Sequence, residues 1–168
     1  MNNKFVEIAS LAISHYLEYG ERVKLKSRFV ENGIKKGVFV SIKKGGRLRG
    51  CIGTIKGRFP LEEEIVNNAI AAASEDPRFP PVRKEEFGDL EISVDVLEAE
   101  EEVTDISELD PKVYGVIVEQ GYKKGLLLPN LDGVDSIEHQ INIAKEKAGI
   151  TTGEYNIKKF KVTRYAWM

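Results

Sequence analysis

A mainly antiparallel α+β fold, a sheet flanked by helices, is what this sequence predicts, on three observations. Short strand-like stretches follow one another through tight, glycine-bearing turns. Three helical stretches interrupt them at irregular intervals. No regular strand–helix alternation sets up the parallel crossovers of a doubly wound sheet.

Residues 4–19 read as a helix, because Phe5, Ile8, Ala9, Ala12, Tyr16 and Tyr19 recur at three- and four-residue steps and Gly20 ends the run. Val6, Ile13 and Leu17 widen the stripe, which implies cover on more than one side. Over 37–43, Val38, Val40 and Ile42 alternate with Phe39 and Ser41, the period of a strand. Lys44-Gly45-Gly46-Arg47 carries the two-glycine signature of a tight hairpin, with a return strand from Leu48 to about Ile55. Pro60 opens a helix through about Glu75 that buries Leu61, Ile65, Ala69, Ala72 and Ala73. Glu62, Glu63 and Glu64 sit in its first turn, where the helix dipole favours anions.

Pro77, Pro80 and Pro81 then forbid helix and central strand alike, so 76–81 is a stiff irregular loop. In the next strand Leu90, Ile92, Val94 and Val96 face one way and Glu91, Ser93 and Asp95 the other. Glu98–Asp110 reads as a solvated connection, and Val113–Glu119 and Leu126–Pro129 as two strands about a turn at Gly121–Gly125. Asp135 and Glu138 form a capping box for a third helix, with Ile137, Ile141, Ala144 and Ala148 inward and Gly149 at its end. Residues 157–165 read as one closing strand.

At 168 residues and 42% hydrophobic content, the chain suits one domain, or one domain with a small lobe, and has ample material for a core. No apolar run approaches the roughly 20 residues that span a bilayer, and the N-terminus carries no secretory pattern. A lone cysteine excludes an internal disulfide framework and fits a reducing compartment, so a cytoplasmic protein is expected. Twelve Lys/Arg and one acid (Glu31) lie between Arg22 and Arg58, and twelve acids with no base between Glu85 and Asp110. Such blocks either make a polar surface or lie close together and neutralise one another; compactness favours the second.

The residues that carry chemistry centre on Leu48-Arg49-Gly50-Cys51-Ile52-Gly53-Thr54. Strand parity sends Leu48 and Ile52 toward the core and Arg49 and Cys51 to the other face. A guanidinium beside the thiol favours the thiolate, while Gly50 and Gly53 suit close backbone approach. The alternative is a cysteine used as a small buried apolar residue. Asp76 and Arg78 form a second constellation: Arg78 suits bidentate binding of a carboxylate or phosphate, oriented by Asp76, or the two form an internal pair that pins the proline loop. His139 falls off the apolar stripe of the third helix, and His15 borders the first helix's core face. His139 would be the base for Cys51 if one is needed, but an exposed helix histidine is the simpler reading. One Cys and two dispersed His make no zinc pattern, a four-cysteine cluster is impossible within the chain, and there is no P-loop or dinucleotide fingerprint.

Leu-Arg-Gly-Cys-Ile-Gly resembles the signature of the AMMECR domain family. Glu64–Ala69, Asp76–Phe79, Tyr114–Val118, Gly125–Pro129 and Lys147–Ile150 resemble that family's later blocks, in order, so the likeness spans roughly residues 5–165. It is closest to the bacterial and archaeal branch. The resemblance implies a two-lobed α+β fold with a smaller second lobe and a cleft between, lined by Arg49–Gly53. It also implies association with a Memo-like protein and a radical S-adenosylmethionine protein, to which any radical chemistry would belong; it supplies no reaction and no cofactor. Asn130 departs from the Gln or Asp that many relatives carry after the proline, and a cysteine some relatives carry in the last helix is absent.

Three readings follow. The first is an accessory or adaptor module that presents the Arg49–Gly53 strand, with Gly50, Gly53, Asp76, Arg78, Glu91, Ser93 and His139 around it. The second is a thiol-dependent enzyme with Cys51 as nucleophile or redox thiol, Arg49 lowering its pKa and Arg78 anchoring a small anionic ligand. The third is nucleic-acid binding through the basic block, where aromatics are few (Phe29, Phe39, Phe59) and no motif is present. The sequence favours the first slightly, because it identifies no base for the thiol.

Overall fold

The computed structural model describes residues 4–26 and 33–167. Two compact units emerge, Met1–Leu97 with Thr163–Met168 and Glu98–Val162. Arg28, Phe29 and Glu31 of the basic block lie outside the described residues.

The first unit is a four-stranded sheet covered by two helices. Helix α1 (Lys4–Tyr19) and helix α2 (Leu61–Ser74) pack on strands β1 (Val38–Lys44), β2 (Arg47–Thr54) and β3 (Leu90–Leu97), with β8 (Val162–Ala166) completing the order β2-β1-β3-β8. The hairpin forms as expected, with both Gly45 and Gly46 at positive φ. Alternation sends Val38, Val40, Ile42, Ile92, Val94 and Val96 to the helix-covered face, where they meet Ile8, Ile13, Ile65 and Ala69. Burying each such aliphatic side chain contributes about 1.5–3 kcal/mol. Antiparallel pairing on both sides of β1 fixes its register, with Ser41 opposite Cys51 and Ser93.

The second unit carries β4 (Glu101–Glu102), β5 (Gly115–Gln120), β6 (Lys123–Leu127), α3 (Ile137–Ala148) and β7 (Asn156–Phe160). Its sheet runs β4-β7-β5-β6, and α3 packs on β5 and β6 around Val116, Val118, Leu127, Ile141 and Ala144. The Glu98 backbone N–H donates to the Lys161 carbonyl at 2.8 Å, so the two ends of this unit are paired.

Several local expectations are corrected. The single closing strand over 157–165 is two strands in different sheets, β7 and β8, because the chain passes between units there without glycine or proline to mark it. Strand β6 begins at Lys123 rather than Leu126: Gly125 lies within it, where helix α3 sits so close that a side chain would strike the Ala144 carbonyl. Ser136, not Asp135, caps α3, accepting from the His139 N–H, while Asp135 pairs with Lys112. The acidic connection contains β4 and a short 3₁₀ turn, Ile106–Glu108. Glu64 is buried and accepts from Thr54 and from the Arg58 and Phe59 N–H groups, so it ties the loop before α2 rather than only answering the dipole.

The charged blocks neutralise one another only in part. Glu86 takes both Lys44 and Arg49 of the basic block, whereas Glu100, Glu101 and Glu102 pair with Lys158 and Lys159. No described helix is long and apolar enough to cross a membrane.

Candidate functional site

Strand β2 is an edge strand, and its middle is irregular. Ile42 pairs with Gly50 and Lys43 with Leu48, so Arg49 is an extra, bulged residue. The bulge changes the parity that the sequence implied. Leu48 is carried to the side of Lys43 and is exposed rather than core-facing, while Ile52 keeps its place against the core. Cys51 lies opposite Ser41, on the face turned away from α1 and α2, and is half-buried.

Gly50 and Gly53 have packing reasons to be glycine. A Cβ on Gly50 would be driven into the Ala72 carbonyl of α2, and one on Gly53 into the Phe39 ring. The close approach expected at these positions is therefore made by the protein itself.

Cys51 directs both its backbone groups outward from the sheet. Its N–H donates to Asp76 Oδ2 at 3.0 Å, and its carbonyl accepts from Arg78 Nη2 at 3.4 Å. Outward-pointing backbone makes Cys51 and Ser41 a non-hydrogen-bonded pair, whose side chains stand closest; Ser41 Oγ and Cys51 Sγ are 3.2 Å apart. Asp76 also binds Arg78 Nε at 3.0 Å, Nη2 at 2.8 Å and its backbone N–H at 3.0 Å. Those bonds hold the Asp76 carboxyl well below the usual carboxylate range, Arg78 first. The proline loop is thus pinned by an internal Asp–Arg pair that also clasps the strand edge.

A second pair flanks the thiol on its other side. Arg164 of β8 binds Asp95 of β3 through Nε at 2.7 Å and Nη2 at 2.8 Å. Asp95 is buried, and Arg164 is held above its ordinary range first by its hydrogen bonds to Asp95, with its charge within electrostatic reach of Cys51. Against this, burial pushes the Cys51 thiol up; the Ser41 hydrogen bond and the Arg78 charge oppose the shift without cancelling it. The expected thiolate is corrected to a protonated thiol.

Arg49 is also corrected as the thiol's partner. It binds Glu86 through Nε at 3.2 Å and Nη2 at 3.0 Å, and the Pro80 and Pro81 carbonyls at 2.7 and 3.3 Å. The bulge turns it to the 3₁₀ segment Lys84–Asp89, where it joins loop to strand. Ser93 lies across Ser41 in the same sheet row as Cys51, and Glu91 is exposed opposite Lys43. His139 is exposed in the first turn of α3, in the second unit, and His15, on α1, sits 3.7 Å from Glu21 just beyond that helix.

The AMMECR1 family model matches residues 6–167, nearly the whole chain. The chain belongs to the AMMECR1 family. It is 47% identical over 167 residues to a protein of Thermotoga maritima, with 96% of each chain covered. It is also 51% identical over 169 residues to Protein CA_C1420 of Clostridium acetobutylicum, where 96% of this chain corresponds to only 35% of that protein. Among solved structures, the crystal structure of the uncharacterized protein PH0010 from Pyrococcus horikoshii superposes with a TM-score of 0.89 at 31% identity, covering 96% of this chain and 89% of that one.

Three residues of this AMMECR1 domain's thiol face were not singled out in the sequence. Ser41 and Asp95 were visible only as polar positions of alternating strands, and Arg164 lies more than a hundred residues after Cys51. The one local signal was an aspartate on the polar row of an alternating strand, which needs a cation wherever that face is covered.

Proposed function

We propose that this chain is an accessory recognition module of a modification or metabolic system, equivalent to AmmeMemoRadiSam system protein A. It acts in the cytoplasm with a Memo-like and a radical S-adenosylmethionine partner through the thiol face of its first unit. The observation that carries this reading is the clasp: Asp76 and the Nε–Nη2 edge of Arg78 hold the Cys51 backbone rigid while the rest of the guanidinium faces outward, and burial keeps the thiol protonated. A nucleophile wants the opposite, a base within reach and a depressed pKa. The Clostridium relative adds support, because a domain that fills 35% of a longer protein works there joined to other sequence.

The test is co-elution of the chain with the Memo-like and radical S-adenosylmethionine proteins of its own organism. Arg78→Ala weakens assembly about tenfold, the scale of losing one charge-assisted contact, and Cys51→Ser leaves it unchanged. Assembly indifferent to Arg78, with a thiol that alkylates at neutral pH faster than a free cysteine, would transfer the assignment to the thiol-dependent enzyme.

A further inference from the structure

We propose that the thiol face binds a small dianion end to end, one oxyanion group on Arg78, the other on Arg164, its uncharged middle over Cys51 and Ser41. The ligand class is a dicarboxylate or a phosphorylated acid. This goes beyond partner recognition and is measured on the chain alone, so failure to find a partner leaves it untouched.

The two arginines are built alike. Each spends its Nε–Nη2 edge on an aspartate, Arg78 on Asp76 and Arg164 on Asp95. Each leaves Nη1 without a hydrogen bond to any described residue. The aspartate side chains are 3% and 1% exposed, whereas the guanidinium side chains are 56% and 51% exposed. An incoming ligand therefore meets the cation, with the balancing carboxylate buried beneath. The carboxylate also fixes the fork, so little side-chain entropy is lost when a second oxyanion docks.

Spacing selects for two charges. Arg78 reaches the Cys51 carbonyl at the outer edge of β2, and Arg164 lies on Asp95 of β3, two strands away. Neighbouring strands are roughly 4.8 Å apart, so the strands alone separate the anchors by about 10 Å, and the two-residue offset of Asp95 from the Cys51–Ser41–Ser93 row along β3 adds to that. A single carboxylate or inorganic phosphate spans one anchor only. Between the anchors the floor is neutral: the Cys51 thiol, the Ser41 hydroxyl 3.2 Å from it, and Ser93 beside Ser41. A ligand charged at its centre would find no counter-charge there.

The experiment is protection of Cys51 from alkylation, at constant ionic strength, by malonate, succinate, glutarate, adipate and suberate, with 3-phosphoglycerate as the phosphorylated acid and acetate and inorganic phosphate as single-anchor controls. Protection is expected to peak within the dicarboxylate series and to reach about tenfold at ten times the dissociation constant, by mass action. Stronger protection by 3-phosphoglycerate assigns one anchor to phosphate. Arg78→Lys and Arg164→Lys each keep a charge for their aspartate, and hence the fold by circular dichroism, but lose the second edge of the fork, and each should abolish the protection. Protection that persists in both lysine variants, equal effects of acetate and the dianions, or no protection by any dianion at millimolar concentration overturns the proposal.

Discussion

Replacing Glu86 by glutamine removes one negative charge and almost no volume from the point where loop, hairpin and 3₁₀ segment meet. Glu86 accepts from Arg49 Nε and Nη2 at 3.2 and 3.0 Å, from Lys44 Nζ at 3.1 Å and from the Arg83 N–H at 2.8 Å. Those bonds, Arg49 foremost, hold its carboxyl at about 2 against a usual 4.5. At about 1.36 kcal/mol per pKa unit the difference corresponds to about 3 kcal/mol at neutral pH. Lys44 is 40% exposed and contributes a screened share, so about 2–3 kcal/mol is the expected loss in Glu86→Gln. The sign follows from a folded-state pKa that is depressed: the contribution is complete above about pH 4.5 and disappears as pH falls through about 2. By pH 3 about half or less of the stabilisation remains. Urea unfolding followed by circular dichroism at pH 7 and pH 3 measures both values. A loss under about 0.5 kcal/mol at pH 7, or the same loss at both pH values, refutes the account of Glu86 as the charged pin of Arg49.

Other substitutions probe the same unit. Gly50→Ala forces a Cβ into the Ala72 carbonyl and should cost about 3 kcal/mol or more, seen as a fall in thermal midpoint or loss of folded protein; an unchanged midpoint refutes the close packing of β2 on α2. Arg164→Ala leaves the Asp95 carboxylate without its partner and, because Arg164 is half exposed and water can reach the gap, should destabilise by about 1–3 kcal/mol in urea, whereas a neutral result means β8 is not held by that pair. Ser41→Ala removes a hydrogen bond that lowers the thiol pKa, so the alkylation rate of Cys51 should titrate at higher pH than in the parent chain; an unmoved profile breaks the Ser41–Cys51 link.

Period and turn chemistry made most of the elements legible. The hairpin at Gly45–Gly46, the alternation of β3 and the stripes of α1, α2 and α3 were readable because each buries one face against a neighbour in its own unit. What escaped depended on contacts distant in sequence. The bulge at Arg49 goes with long-range bonds from its guanidinium to Glu86 and to the Pro80 and Pro81 carbonyls. With that residue removed from the alternation, a parity argument correct for Cys51 and Ile52 failed for Leu48 and Arg49. Asp76 and Arg78 were found, since a proline-stiffened loop keeps its polar residues together. Arg164 could not be, because β7 and β8 are separated in sequence by Lys161 alone and belong to different sheets.

The paired ends of the second unit bear on the order in which the chain assembles. Strand β8 completes the first sheet beside β3 only after a loop of about 65 residues has closed. Closing so long a flexible loop costs about 3–4 kcal/mol in chain entropy. Once the intervening residues have folded, with the Glu98 N–H on the Lys161 carbonyl, the two stems already stand side by side and that entropy is no longer owed by β8. An inserted unit that folds first would therefore deliver the last strand to its host at a reduced entropic cost, and with it Arg164 over Asp95.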